Sequence, residues 1–524
     1  MIKNFSVLLS TAAGAALALA AGPAMANPPP PPIFTWTGFY LGVNGGFGGG
    51  VATTTLNTLA PPLAYGDTYA ESNSLSHRMS GFLVGGQFGY NYQLPNRVVL
   101  GVETDFQWSG IRGTDNDANI TQYCFGCGAD ISPSQSNITQ NWFGSTRLRL
   151  GYAVSDRLLP YITGGLAYSD FAANHWGVGY SVGPGWQGVY SLTGGGATST
   201  QLGWTLGAGL EYALNNSLSV KTEYLYSQYS GVTAPYLNAG DYTPPVNVGT
   251  FSTGTIGIHS LRAGLNYRLG AAPGGFDGAF AEAFGPSAGF AWSGFYVGVN
   301  GGCGGGVVTP NLPALHMEVV NGANTYPETD ADTFRAAGFH FGGQAGYNHQ
   351  FANNVVLGLE TDFQWSGVTA SNHSDMNGLD NYMGPFNSFS RMNVDQNWFG
   401  TTRARLGYPV LGALPYITGG VAYSEFFIRN SSGFATLLIG DNGAQGGAAT
   451  ATKAGWTLGA GFEFPVCEHV TFKTEYLYSE FGGVSTPYAY NEVWSPNFYG
   501  ALGSMQSGTL GVHMVRAGFN WQLR

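Results

Sequence analysis

The chain contains two copies of one sequence pattern. Four motifs recur, at 36–40 and 292–296, 99–110 and 356–367, 159–165 and 414–420, and 221–227 and 473–479. The offset between the copies is 256 residues at Trp36 and 252 residues at Lys221. A period this long indicates a duplicated domain, because the units of solenoid proteins span only roughly 20–50 residues. Two copies also give two independent readings of the features that the fold uses.

The first 26 residues have the pattern of a secretory signal peptide. Lys3 supplies the positive charge, 7–21 the apolar stretch, and small residues precede a cleavage site after Ala26. An N-terminal membrane helix is the alternative, but the apolar run is short and rich in Ala and Gly. The mature chain would then begin with a Pro-rich lead-in, 27–37, which favours an extended conformation.

The composition favours a surface that meets lipid. Charged residues make up 9% of the chain, against about 25% in ordinary soluble proteins. Aromatic residues reach 14%, and 82 of the 524 residues are Gly. No apolar run of about 18 residues follows the signal peptide, so no transmembrane helix is expected. Aromatic girdles and an apolar outer band are instead typical of transmembrane β-barrels. The net charge is −11 without a basic stripe, which argues against nucleic-acid binding.

Alternating polar and apolar residues predict eight strands in each copy. In copy one we place them near 38–48, 82–93, 98–110, 142–154, 159–171, 203–213, 217–229 and 259–269. In copy two we place them near 294–304, 339–350, 355–367, 398–410, 414–426, 455–465, 469–481 and 513–523. Tight turns alternate with long polar loops, which in copy one are 49–81, 111–141, 172–202 and 230–258. This alternation of short turns and long loops is typical of outer-membrane barrels, with both chain ends on the periplasmic side.

The charged residues of the predicted strands share one face of each strand. In the third strand Glu103 and Asp105 alternate with Val102, Thr104 and Phe106. A charge facing the middle of a bilayer costs about 2–4 kcal/mol, so the charged faces must point into the barrel. A soluble β-sandwich also alternates, but it would bury these charges without a dry apolar core. The strands therefore favour a barrel in lipid.

Each copy places eight charged residues in the lumen, four acids and four bases. They are Glu103, Asp105, Arg147, Arg149, Glu211, Lys221, Glu223 and Arg262 in copy one, and Glu360, Asp362, Arg403, Arg405, Glu463, Lys473, Glu475 and Arg516 in copy two. Buried charges must be paired, and we expect Glu103 and Asp105 to meet Arg147 and Arg149 by cross-strand pairing. One interpretation is a neutral salt-bridge plug that closes the lumen. The other is a gated polar path for ions or small solutes.

The remaining chemistry-bearing residues give weak signals. Paired carboxylates can act in glycosidases, but each acid here has a base that repeats with it, so we predict no enzyme and no catalytic residue. Cys124 and Cys127 lie in the second long loop and could form a local disulfide in an exported protein, with free thiols as the alternative. A lone pair of cysteines offers only two metal ligands, and we predict no metal and no cofactor. His259 and His513 match between the copies, and rim packing explains them best.

Several motifs resemble a known family. The Trp-Thr/Ser-Gly-Phe-Tyr starts, the Gly-Gly-Gln-x-Gly-Tyr-Asn segments at 85–91 and 342–348, and the Leu-Pro-Tyr-Ile-Thr-Gly-Gly segments are similar to those of alphaproteobacterial outer-membrane proteins. This is the opacity-like, OmpA-type family, also called porin-family or outer-membrane immunogenic proteins. The resemblance covers nearly all of 33–269 and 290–524. It implies eight-stranded barrels with structural or adhesive roles, porin activity in some members, no enzyme, and dependence on the barrel-insertion machinery.

We therefore predict an all-β chain with two tandem eight-stranded antiparallel up-and-down transmembrane barrels. The domains are a signal peptide (1–26), a lead-in (27–37), a first barrel (38–269), a Gly/Ala/Pro-rich linker (270–291) and a second barrel (292–524). The alternative is one sixteen-stranded barrel, which would require 259–269 to pair with 294–304.

The predicted location is the outer membrane of a Gram-negative bacterium. The expected partners are outer-membrane lipid, lipopolysaccharide and a surface ligand of unknown chemistry. We expect a structural, surface-exposed role with charge-plugged lumens and little conductance. The alternative is a porin for passive diffusion of small solutes or ions.

Overall fold

A computed structural model describes most of the chain from residue 34 onwards. The described residues are 34–57, 72–124, 128–183, 186–240, 247–270, 290–308, 334–380, 384–410, 412–436, 442–494 and 497–523. Within them, no helix has the length and apolar character needed to cross a membrane. The signal peptide and most of the linker lie outside the described residues, so their bounds remain predictions.

The first copy forms eleven strands in one sheet. They are β1 (Gly38–Asn57), β2 (Ser72–Gln93), β3 (Val98–Ser109), β4 (Arg112–Cys124), β5 (Gly128–Tyr152), β6 (Leu158–Gly183), β7 (Trp186–Ala213), β8 (Leu218–Tyr229), β9 (Thr233–Gly240), β10 (Asn247–Thr253) and β11 (Ile256–Arg268). β4 continues the line of β3 after a break at Gly110, since both pair with β2 and β5. β9 and β10 likewise prolong β8 and β11, because they pair with β7 and β1.

The second copy forms ten strands with the same order. They are β12 (Gly294–Val308), β13 (Phe334–Gln350), β14 (Val356–Asp380), β15 (Gly384–Gly407), β16 (Leu414–Thr436), β17 (Asn442–Pro465), β18 (Val470–Phe481), β19 (Ser485–Trp494), β20 (Asn497–Gln506) and β21 (Leu510–Leu523). Here the third wall is the single long strand β14. A register shift between Trp365 and Val368 lies where the first copy breaks.

Each copy closes on itself as an eight-walled antiparallel barrel. In the first barrel β1 pairs with β11, for example Asn44 opposite Gly264. In the second barrel β12 pairs with β21, for example Asn300 opposite Gly518. The prediction of two tandem barrels is therefore confirmed. The sixteen-stranded alternative is wrong, because β11 pairs with β1 and β8 and not with β12.

The predicted long loops are wrong in part, because the walls continue as strands well beyond the membrane band. β2 starts at Ser72 and β6 runs to Gly183, inside segments predicted as loops from their polar composition. The physical reason is that these segments still alternate, with Met79, Ile138 and Ala173 on the inner side and fully buried. A sheet with a dry interior and a wet exterior needs only half of its residues to be apolar.

The two barrels pack side by side with their outer faces in contact. One buried cluster joins Phe47 and Leu261 of the first barrel to Cys303 and Val515 of the second. A second cluster nearer the chain termini joins Leu158 and Tyr212 to Ala413, Phe464 and Phe472. We call this contact surface the seam. Elsewhere the outer faces stay open, as at Leu148, which is 69% exposed.

Candidate functional site: two buried ion clusters

The lumen of each barrel holds the charged residues that the alternation places on the inner face. Side chains of a strand point alternately to opposite sides, so Glu103 and Asp105 share one side of β3. The register then sets Glu103 opposite Arg147 on β5, and Glu223 on β8 opposite Arg262 on β11. All sixteen charged residues named from the sequence are buried, with at most 3% of their surface exposed.

Glu103 is the centre of the first cluster. Its Oε1 accepts hydrogen bonds from Arg147 Nη2 at 2.5 Å and from Lys221 Nζ at 2.7 Å. Its Oε2 accepts a hydrogen bond from the Tyr40 hydroxyl at 2.8 Å. Lys221 lies on β8, four walls away from β3, so this contact crosses the lumen. One carboxylate thus binds groups from three other walls of the barrel.

Three further contacts link separate walls. Arg262 Nη2 donates to Asp105 Oδ2 at 2.5 Å and to Glu223 Oε2 at 2.6 Å. Arg149 Nη2 donates to Glu211 Oε2 at 2.6 Å. The expected pairing is confirmed, because Arg147 contacts both Glu103 and Asp105, and Arg149 Nη1 lies 3.5 Å from Glu103 Oε2. The shorter contact of Arg149, to Glu211, was not expected. Arg149 lies opposite Gly101 in the register, and its long side chain also reaches β7.

The second barrel repeats this cluster contact by contact. Arg403 Nη2 donates to Glu360 Oε1 at 2.5 Å, and Lys473 Nζ donates to the same oxygen at 2.7 Å. Arg516 Nη2 lies 2.7 Å from both Asp362 Oδ2 and Glu475 Oε1. Arg405 and Glu463 are the equivalents of Arg149 and Glu211, and Arg405 Nη2 donates to Glu463 Oε2 at 2.6 Å. Two copies of the sequence have thus kept one geometry.

Sequence reasoning missed the tyrosines of the clusters. Tyr161 donates its hydroxyl proton to Glu223 Oε1 at 3.0 Å, and the guanidinium of Arg149 lies 3.9 Å from the Tyr161 ring centroid. Tyr40 and Arg149 are joined at 2.7 Å. Both tyrosines repeat in the second copy, as Tyr296 and Tyr416, with the same contacts. Tyr40 and Tyr161 thus recur in the second copy, and they also fall on the inward-facing side of the alternation. These two features of the sequence could have identified them as lumen residues.

Glycines opposite the tyrosines make room for the rings. A Cβ built on Gly89 would lie 2.4 Å from the Tyr40 hydroxyl oxygen, and one on Gly209 would lie 2.5 Å from that of Tyr161. Side-chain atoms do not approach so closely without displacement. These two glycines therefore let the rings lie flat against the neighbouring walls.

Apolar layers lie on both sides of the first ion cluster. At the end near the chain termini, Phe34 and Trp36 of the lead-in pack against Val99 and Leu159 inside the barrel. Towards the other end, which we call the outer end, a larger cluster fills the interior; its members include Met79, Ile111, Ile138, Phe143, Phe171, Tyr229 and Phe251. The second barrel has corresponding layers at Trp292 and around Phe399, Phe426 and Phe481. The interior is thus apolar, ionic and apolar in turn.

Two histidines lie inside the outer end of the first barrel, beyond the membrane band. His77 Nε2 and Thr54 Oγ1 form a hydrogen bond of 2.9 Å, and the His175 ring stacks on Phe251 with 6.1 Å between centroids. Burial, with a smaller effect of nearby His175, lowers the pKa of His77 to about 3. Burial lowers the pKa of His175 to about 4. Both rings are therefore neutral at ordinary pH.

The charged side chains of each lumen offer ionic contacts between buried groups. Among the described residues, no group of three or more His, Cys, Asp or Glu side chains is placed to hold a metal ion. The disulfide proposed between Cys124 and Cys127 lies outside the described residues. Cys303 is buried in the seam and Cys467 is exposed in the turn after β17, both as free thiols. The chemistry that remains is charge pairing between side chains inside the two lumens.

Parts of this chain are similar in sequence to known proteins. The family model described as outer membrane protein beta-barrel domain matches residues 11–268 and again residues 278–521. The 31 kDa outer-membrane immunogenic protein of Brucella melitensis biotype 1 is 33% identical over 269 residues, which is 51% of this chain and 98% of that protein. The 22 kDa outer membrane protein of Rhizobium leguminosarum bv. viciae is 30% identical over 176 residues, 33% of this chain and 68% of that protein.

Among solved structures, Neisserial surface protein A is 13% identical, with a TM-score of 0.17. The match covers 44% of this chain and 98% of that protein. That likeness is too low to carry an argument. The family model, in contrast, matches well over half of the chain in two successive blocks. This chain is an integral outer-membrane protein that belongs to the outer membrane protein beta-barrel domain family and contains that domain twice.

Proposed function

We propose that the protein is a structural, surface-exposed component of the outer membrane whose two lumens are closed. The observation that carries the proposal is the contact of charged groups across each lumen. Lys221 reaches Glu103 from the opposite wall, and Lys473 reaches Glu360 in the same way. An eight-stranded barrel has an interior just wide enough for side chains to fill, and here bonded side chains fill it.

The energetics support closure. An ion that crosses the first barrel must separate charged groups such as Arg262 and Asp105, whose side chains are fully shielded from solvent. Removing one partner of a buried pair costs about 3–5 kcal/mol, and several pairs share each carboxylate. The path would also cross the apolar layer that contains Phe171 and Phe251. Passive flow through such a path would be slow.

The surface role rests on the long outer ends of the walls. β6 ends at Gly183 and β7 begins at Trp186. Both ends lie far beyond the aromatic residues of the exposed outer face, such as Trp108 and Trp204. Relatives of about one barrel in length are named outer-membrane immunogenic proteins, and we extend surface exposure from them to this chain. Outer-membrane lipid and lipopolysaccharide would contact the apolar band below, and a surface ligand would bind the outer ends.

The test is electrical. The mature chain, 27–524, is refolded, shown to be folded by its heat-sensitive mobility on gels, and inserted in a planar bilayer. We expect no discrete conductance steps. Steady openings from folded wild-type protein would overturn closure and favour the porin alternative, in which the ion clusters line a polar path.

The surface role has a separate test. Antibodies against the segment 172–202 should label intact cells, and absence of labelling would overturn the surface role.

A further inference from the structure

Residues at equivalent positions of the two copies meet each other in the seam. Tyr212 and Phe464 lie on the sixth wall of their barrels, each one residue after a lumen glutamate, and their rings stack with 4.6 Å between centroids. Phe47 and Cys303 occupy the same position of β1 and β12 and share one buried cluster. A residue meets its own equivalent only near a twofold axis. The two barrels are therefore related by an approximate twofold axis that runs through the seam.

Away from that axis, the contacts occur in reciprocal pairs. The Phe82 ring of the first barrel meets His513 of the second at 4.9 Å and 83°. The equivalent Phe339 of the second barrel meets His259 of the first at 4.9 Å and 84°. Within its own barrel, His259 Nδ1 is held by the Tyr224 hydroxyl at 2.7 Å. This reciprocity is the defining property of an isologous interface.

The outer rim of the seam repeats the pattern with small and charged residues. A Cβ built on Gly49 would lie 3.0 Å from Ala337 Cβ, and one on the equivalent Gly305 would lie 3.2 Å from Ser80 Cβ. Small residues let the two backbones approach closely, as they do between helices in membranes. Arg335 Nη1 also donates to the Ser80 carbonyl oxygen at 2.9 Å. Its equivalent in the first barrel, Arg78, donates to a serine of β14 at 3.1 Å.

Burial separates the seam from the surface that meets lipid. Outward-facing Phe47 and Leu261 are 2% and 6% exposed, whereas outward-facing Leu148 and Ile162 are 69% and 60% exposed. Two apolar grooves of about 780 and 800 Å³ flank the seam. They are lined by equivalent residues, Tyr416 and Phe462 in one and Tyr161 and Leu210 in the other. The symmetry thus extends beyond the direct contacts.

We propose that the two repeats form a fused dimer, in which this face of each barrel is a specific interface for the other repeat. The side-chain contacts of the seam, and not the covalent linker, hold the barrels together in the membrane. The partner that this face fits is a barrel of the same family whose outer face carries the equivalent residues. In the intact chain that partner is the second repeat, so the face is occupied within one molecule.

The first experiment is disulfide cross-linking in the full chain. Native cysteines are replaced, a protease site is placed within 270–291, and Ser80→Cys is combined with Ala337→Cys, since both Cβ atoms lie within 3.4 Å of one Cβ position built on Gly49. The matched control combines Leu148→Cys with Ala404→Cys, which are equivalent lipid-facing positions far from the seam. We expect at least tenfold more linked halves after oxidation and cleavage for the seam pair.

Two results would overturn the pairing: equal linking in the seam and control pairs, or linking only between separate chains.

The second experiment cleaves the linker between the barrels without introducing any cross-link. After cleavage in detergent, a tag on the first barrel should recover the second barrel from wild-type protein. Ala337→Trp should lower that recovery at least tenfold, because the indole overfills the seam, whereas Ala404→Trp should leave it unchanged. Separation of the wild-type halves, or full recovery with Ala337→Trp, would overturn the proposal. Heat-sensitive gel mobility shows that each variant is folded.

Discussion

Neutralising one carboxylate tests whether the ion cluster stabilises the barrel. In Glu103→Gln the side chain keeps its shape but loses its charge. Lys221 Nζ lies 2.7 Å from Glu103, and its other acidic neighbour, Glu223, is 4.0 Å away. The variant therefore leaves a buried ammonium group without a close counter-charge. Removing one member of a buried pair costs about 3–5 kcal/mol, and we expect a loss in that range.

The assay is equilibrium unfolding in urea of the mature chain refolded in lipid vesicles, followed by gel mobility and fluorescence. Glu360→Gln in the second barrel should give a loss of the same size, because Lys473 depends on Glu360 in the same geometry. Asp170→Asn is the control, since Asp170 bonds an exposed amide at the rim and such contacts contribute about 0–1 kcal/mol.

A second substitution separates lost charge pairing from lost packing. Combining Glu103→Gln with Lys221→Met removes the unpaired ammonium group, so part of the stability should return. Coupling between adjacent residues of one network is commonly about 0.5–3 kcal/mol. If Glu103→Gln costs no more than Asp170→Asn, or if the double variant is simply the sum of the single ones, the cluster does not stabilise the barrel as argued.

Two further predictions concern the first barrel. Acidification from pH 6.5 towards 4 should increase hydrogen exchange in its outer end, because burial lowers the pKa of His77 to about 3 and of His175 to about 4. Their stabilising effect is complete above pH 6.5 and is lost as the opened form takes up protons; the double variant His77→Phe with His175→Asn, which carries the second barrel's residues at these positions, should respond less, and an equal response would contradict this. Gly209→Ala should destabilise by about 1–3 kcal/mol in urea, since its Cβ would displace a lumen tyrosine; an unchanged midpoint would contradict it.

The sequence predicts the walls of the barrels and the faces of their residues well, because alternation is a local property. Eight wall positions per copy agree with the structure, and Glu103 does pair with Arg147 across adjacent strands. Alternation cannot predict contacts that cross the lumen, such as Arg149 with Glu211. Those depend on side-chain length and on how the barrel closes, neither of which is encoded in the spacing along one strand.

Two features could not be predicted from the sequence for different physical reasons. The outer strand extensions are polar enough to resemble loops, and only the buried partners of residues such as Ile138 identify them as sheet. The seam is hidden because lipid and protein cover apolar residues equally well. Leu261 and Leu148 are the same residue type and both point outward from their barrel, yet Leu261 is buried by the other repeat whereas Leu148 faces the bilayer.

Fusion of the repeats also explains why the seam is less conserved between them than the lumen. Near a twofold axis a large residue meets its own copy, and in a dimer of identical chains two such residues would compete for the same space. Here Phe47 and Cys303 are equivalent positions of one buried cluster, as are Leu261 and Val515, so a larger side chain in the first repeat accompanies a smaller one in the second. Covalent linkage lets the two halves of the interface differ, which identical subunits cannot do.

The size matching gives a sharp test. Cys303→Phe should place two phenylalanines near the axis and weaken the recovery of cleaved halves, since overpacking costs about 1–3 kcal/mol, roughly a 5- to 150-fold change in an equilibrium constant. Phe47→Cys should weaken recovery by leaving a void in the seam cluster. Exchanging the two, Phe47→Cys with Cys303→Phe, keeps the total volume and should restore most of the recovery. If recovery of the exchange variant falls by as much as the two single changes together, size matching across the axis does not hold the repeats in place.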